Sequence, residues 1–206
     1  MMMDPTKDTR SVFPGARVLE FSKDSFLNAN ITDRKTEELV YTIRSVTGLA
    51  VNGIRVVLSA VDGGRSDEVA NFVKGAFFKG DKISFRGGEP MKAKQWMHDN
   101  TFYDPDAKEA SADRSKYSWL RDPETLKDIA LFKNDGDEPI AWFRPSVRSV
   151  ELWPATLIVH PDAFALQDII LASLLVAVQT TRARDSQGQG LAQAMPFMQL
   201  TGGGVM

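Results

Sequence analysis

Between Pro161 and Arg182 the chain contains a stretch that can be stable only when enclosed. From Ile169 to Val178 the single polar residue is Ser173. Turning about 100° per residue, a helix here points Ile169, Ile170, Leu171, Leu174, Leu175, Val176 and Val178 all round its axis and leaves no wet face. Such a helix must be surrounded by protein or by lipid. The uncharged run, Ile169 to Thr181, is shorter than the ~18 residues of a membrane span, so protein is the expected enclosure. Asp162 is the expected N-cap, and Arg182 and Arg184 lie where cations favour a helix C-terminus. The helix is expected over about 162–183.

The segments upstream read as the wall around it. Short β-branched or alternating runs at Arg17–Phe21, Ser25–Asn28, Leu39–Thr47 and Gly53–Val61 predict strands. Asp62, Gly63 and Gly64 predict the hairpin turn that follows them. Glu68–Phe78 fits both periods and is assigned as a strand on its glycine and aromatic end. Further strands are expected at Lys82–Arg86, Met91–Trp96, Thr101–Tyr103, Lys116–Leu120, Leu126–Lys133, Pro139–Phe143, Arg148–Trp153 and Ala155–His160. The acidic segment Asp99–Asp113 is expected to be largely a solvated loop. Strands at regular spacing followed by one helix predict a mainly β fold, a barrel or a sandwich, and not βαβ units. A wall of about twelve strands has room for a helix inside, which favours a closed barrel around the C-terminal helix. The domain plan is a loose lead-in over 1–16, one domain over 17–184, and a flexible Gly/Gln-rich tail over 185–206.

With 206 residues and a net charge of −2, the chain has no global pull toward nucleic acid or anionic membrane. It has no cysteine, which excludes a disulfide scaffold, thiolate catalysis and palmitoylation. The acid at position 4 and the lack of an apolar core near the N-terminus argue against a signal peptide. An intracellular, cytoplasmic protein, peripheral at membranes, is the expectation.

Chemistry-bearing motifs are sparse. His98 and His160 are the two histidines, with no ligand set at metal spacing, so neither a metal nor a cofactor is expected. The glycine pairs at 63–64 and 87–88 precede no Lys-Ser/Thr and read as turns. No nucleophile–base pair can be assembled, so an enzyme is not expected. Asp168, inside the apolar helix, is expected to hydrogen-bond the wall. One charged feature stands out: Lys74, Lys79, Lys82, Arg86, Lys92 and Lys94, opposed only by Asp81 and Glu89. Alternation puts Lys82, Ser84 and Arg86 on an outer face, where such bases would suit phosphate or lipid headgroups. Phe85 and Trp96 among them raise base stacking on nucleic acid, which the acidic balance disfavours.

Tyr117–Trp119, the strand at Leu126, Ile140–Phe143, Val150–Leu152 and the terminal helix with Leu166–Ile170 resemble an uncharacterised fungal family. That family is grouped with tubby C-terminal, LURP-one and phospholipid-scramblase proteins. The resemblance spans roughly Leu39 to Arg184. It implies a twelve-strand barrel around a hydrophobic C-terminal helix and, in the tubby branch, phosphoinositide binding at the barrel surface. The scramblase branch carries a cysteine-rich segment that this chain lacks. The functional expectation is therefore a non-enzymatic module binding a membrane surface or lipid headgroup. The alternative is an intracellular protein-interaction module without lipid binding.

Overall fold

The structure is a computed structural model, and it describes residues 14–23, 26–48, 51–75, 80–106, 115–121, 128–134, 136–148 and 152–193. Strands dominate. The first seven are β1 (Arg17–Phe21), β2 (Ala29–Asp33), β3 (Leu39–Gly48), β4 (Val51–Asp62), β5 (Arg65–Gly75), β6 (Lys82–Phe85) and β7 (Met91–Lys92). A single helical turn, α1 (Ala93–Trp96), leads to β8 (Met97–His98), β9 (Thr101–Tyr103), β10 (Lys116–Arg121), β11 (Ile129–Lys133) and β12 (Pro139–Arg144). Then come β13 (Val147–Arg148), β14 (Leu152–Trp153), β15 (Thr156–Val159), a 3-10 helix over Pro161–Leu166 and α2 (Gln167–Gln193).

Thirteen strands form one antiparallel sheet in the order β7-β6-β5-β4-β3-β2-β1-β15-β12-β11-β10-β9-β8, while β13 and β14 pair only with each other. Among the described residues no ladder joins the two ends, so the thirteen-stranded sheet is not closed by hydrogen bonds into the twelve-strand barrel expected from the sequence. Yet the end strands β7 and β8 are separated only by α1. One helical turn advances about 6 Å, so the sheet is rolled until its ends are neighbours. Aromatic side chains bridge that seam. Phe85 of β6 packs edge-on against Trp96 of α1 at 4.8 Å, Trp96 meets Phe102 of β9 at 5.4 Å, and Phe102 stacks on Tyr117 of β10 at 5.4 Å. The Trp96 indole N–H also donates to the Tyr103 carbonyl at 3.0 Å.

Helix α2 supplies the core. Ile169, Ile170, Leu171, Leu174, Leu175 and Val176 are all buried, while Val178 is only partly buried against the same cluster. By length and composition the Pro161–Thr180 segment is also able to cross a membrane; here strands cover its apolar surface. Polar pins tie it to both halves of the wall. The Trp119 indole N–H of β10 donates to Ser173 Oγ at 2.9 Å, and that hydroxyl donates to the Ile170 carbonyl. On the other half, Tyr41 of β3 donates to Asp168 at 2.7 Å.

Several local expectations are corrected. Phe26–Asn28 is a turn: the Asn28 side chain bonds Ser45 Oγ and the Ser45 N–H, so it caps the β3 edge and does not extend a strand. Met91–Trp96 is a two-residue strand plus α1, because the chain must cross between the sheet ends there. Arg148–Trp153 is not one strand, since its ends pair with each other as a hairpin. The cap at the C-terminal helical segment is His160, whose Nδ1 accepts the Asp162 N–H at 3.2 Å, and a 3-10 stretch precedes α2. The α-helix continues to Gln193, past the expected end near 183. Residues 1–13 of the expected lead-in, Ser25, residues 76–78, 126–127 and 149–151 of the expected strands, residues 107–113 of the acidic segment and the tail from 194 onward lie outside the described residues.

Candidate functional site

The register of β3 to β7 decides which of the basic residues meet. Val46 lies opposite Arg55, Arg55 opposite Val73, Val73 opposite Lys82, and Lys82 opposite Lys92. Neighbouring strands lie about 4.8 Å apart, so these five side chains form one row across the sheet. Phe72 and Ile83, one residue along, are fully buried. Strand alternation therefore puts the row on the outer face. Val46 is 50% exposed, and Lys82 and Lys92 are exposed at the sheet end.

Lys82 and Lys92 are directly opposed like charges, an arrangement that costs stability unless an anion lies between them. Neither has an ion pair among the described residues, and the same holds for exposed Lys94, which follows Lys92 on α1. Arg55 is partly engaged: its Nε donates to Asn71 at 3.0 Å, and its guanidinium lies 3.5 Å from Glu68. The row is thus amphipathic, with two valines among three bases.

Other basic residues of the predicted patch go elsewhere. Lys74 has the parity of Phe72, lies opposite Ile54 and is half-buried, so it does not join the outer row. Lys79 lies outside the described residues. Arg86 leaves the strand alternation because its φ of 47° turns the backbone into the left-handed region. Its guanidinium meets Asp106 at 2.7 Å and Asp168 at 3.5 Å, across the seam and onto the helix start. Arg86 is thus paired with two carboxylates and ties the seam to the helix. Ser84, expected on the exposed face, is buried. Phe85 and Trp96 pack on one another and leave no ring pair free for base stacking.

At the N-terminal end of α2 the structure assembles a polar chain. Arg17 Nε donates to Asp33 at 2.6 Å, and its other end reaches Gln167 Oε1 at 3.4 Å. Gln167 donates to the Tyr41 hydroxyl at 2.8 Å, and Tyr41 donates to Asp168. Burial pushes the Tyr41 pKa up strongly, and the Asp168 charge and hydrogen bond add to it. For Asp33, burial is the largest influence and acts upward. The Arg17 contact and the Lys35 and Thr36 backbone N–H groups together outweigh it and hold the carboxyl below its ordinary value. Every member of this chain is partnered within it, which suits a lock on the helix.

His98 is exposed, with Nδ1 3.1 Å from Asp99. Among the described residues no group of three His, Cys, Asp or Glu side chains is placed to hold a metal. Sequence reasoning missed Arg55 and Val46 in the outer row. Their period-two positions were visible, but the register that lines them up with Lys82 was not.

A family model described as Family of unknown function (DUF6593) matches residues 24–183. No curated protein and no solved structure matches the chain. The matched span opens after β1 and closes within α2.

Proposed function

We propose that this chain, which belongs to the DUF6593 family of unknown function, is a non-enzymatic module that binds anionic lipid headgroups at a membrane surface. The observation that carries the reading is the outer row Val46–Arg55–Val73–Lys82–Lys92. Its two facing lysines would gain from a bridging phosphate, and its exposed valine from contact with the acyl boundary. Phosphoinositides, with several phosphates on one headgroup, suit the Lys82–Lys92 pair best. We further propose that the rolled sheet is a variant of the tubby and LURP-one barrel, with the β7–β8 seam sealed by aromatic packing in place of a ladder. A cytoplasmic location, peripheral at membranes, goes with this reading.

The test is cosedimentation with vesicles of phosphatidylcholine alone, with phosphatidylserine, and with added phosphoinositide, at low and physiological salt. Binding is expected only to the anionic vesicles and should weaken as salt rises. Each basic residue near the surface contributes about 1 kcal/mol, so Lys82→Glu with Lys92→Glu should weaken binding at least about tenfold. Arg86 is left intact because it holds the helix. Binding that ignores both salt and the double reversal would reject the proposal.

A second reading, a protein-interaction module without lipid binding, draws on a different face. Leu120 is 54% exposed and lies opposite Ala130, which faces Trp142, which faces Ile158. Ala130 and Ile158 are themselves covered, so Leu120 beside the half-buried Trp142 is what this row offers a protein partner, and no binding to any vesicle would leave this as the leading reading.

A further inference from the structure

Beside the start of β1 a cleft of about 450 Å³ opens to solvent, lined by Arg17, Val18, Asp33, Arg34, Lys35 and Phe164 among others. Its size lies in the range of small-molecule sites, which combine apolar walls with a few placed polar groups. One wall is Phe164, 43% exposed although it is a large aromatic. It belongs to the 3-10 helix Pro161–Leu166, in which Ala163 is turned inward.

Three cations and one carboxylate line the cleft. Asp33 is already engaged: it accepts from Arg17 Nε and from the Lys35 N–H. Arg34 reaches Glu20 through Nε, which leaves its two terminal nitrogens with donors to spare. Lys35 is exposed and has no ion pair among the described residues. The unpaired positive charge is therefore that of Lys35, beside the spare terminal N–H donors of Arg34, on the rim at the turn after β2, while the Val18 and Phe164 side is apolar. An anionic head at that rim avoids repulsion by Asp33, and an apolar body can then lie against Phe164.

We propose that this cleft binds an amphipathic organic monoanion, an acyl or aryl chain carrying a carboxylate or sulfonate. The site is separate from the Lys82–Lys92 row: β1 and β7 are six strands apart in the ladder order. It stands whether or not the headgroup reading holds.

The full chain is titrated with the fluorescent anion anilinonaphthalene sulfonate, and decanoate, decanol and inorganic phosphate are then tried as competitors. A single saturable enhancement is expected, displaced by decanoate but not by phosphate, and only weakly by decanol. Lys35→Glu and Phe164→Ala should each weaken binding about five- to tenfold, whereas Lys82→Glu with Lys92→Glu should leave it unchanged. Far-ultraviolet circular dichroism and a cooperative melt establish that each variant is folded. No saturable enhancement overturns the proposal, as does enhancement that survives both cleft variants or displacement by phosphate alone. Loss of enhancement in the Lys82/Lys92 variant would assign the anion to the outer row and equally overturn it.

Discussion

Ser173 is the one polar side chain in the apolar heart of α2, and its hydroxyl is fully buried between the Trp119 indole and the Ile170 carbonyl. A serine in a helix interior often bonds back to its own backbone; here it also accepts from the wall and fixes the rotation of the helix against β10. Ser173→Ala leaves the buried Trp119 N–H without this acceptor, so a loss of about 1–3 kcal/mol in urea denaturation is expected. Tyr41 holds the opposite side through a proton that it must keep. Its pKa is raised in the folded state, so its contribution is complete below the ordinary value of about 10. It is lost as pH climbs from there toward the folded value, because the unfolded chain releases the proton first. Stability measured between about pH 9 and pH 11 should therefore fall. Tyr41→Phe should reduce that slope without abolishing it, since burial also raises the Tyr117 pKa.

Among the elements, α1 does more than its four residues suggest. It carries the chain from one end of the sheet to the other, and its Trp96 is the middle of the aromatic bridge from Phe85 to Phe102. Trp96→Ala opens a cavity at the seam and removes the bond to Tyr103, so a cost of about 3–5 kcal/mol is expected in the same denaturation assay. A much smaller loss would mean that the seam is held elsewhere. The long hairpin of β4 and β5 was readable beforehand, because Gly63 and Gly64 both take positive φ at its turn and the flanking strands are β-branched. The β8–β9 turn was not read, although Asp99 and Asn100 both adopt positive φ and are residue types that such turns favour. Strands of two residues, such as β7 and β8, are too short to show a period at all.

For the molecule as a whole, the apolar circumference of α2 by itself required an enclosing wall, and the upstream β-branched runs identified the material of that wall. Burial needs only composition and periodicity, so the core helix and the mainly β class were both legible before any contact was known. Asp168 as a link between helix and wall was legible for the same reason: a carboxylate beside so much apolar surface must be partnered. Register and closure were not. Which outer residues stand side by side depends on pairings between segments far apart in the chain, such as β1 with β15, and on shifts like the one between Leu58 and Ser59. The outer row itself comes from the successive hairpins β3 to β7, whose register brought Arg55 and Val46 into line with Lys82 and Lys92, and the left-handed turn at Arg86 removed that residue from the line. Local pattern determined that there would be a helix to bury and strands to bury it; hairpin register decided which surface charges met, and the β1–β15 ladder and the aromatic seam decided how the wall comes together around the helix.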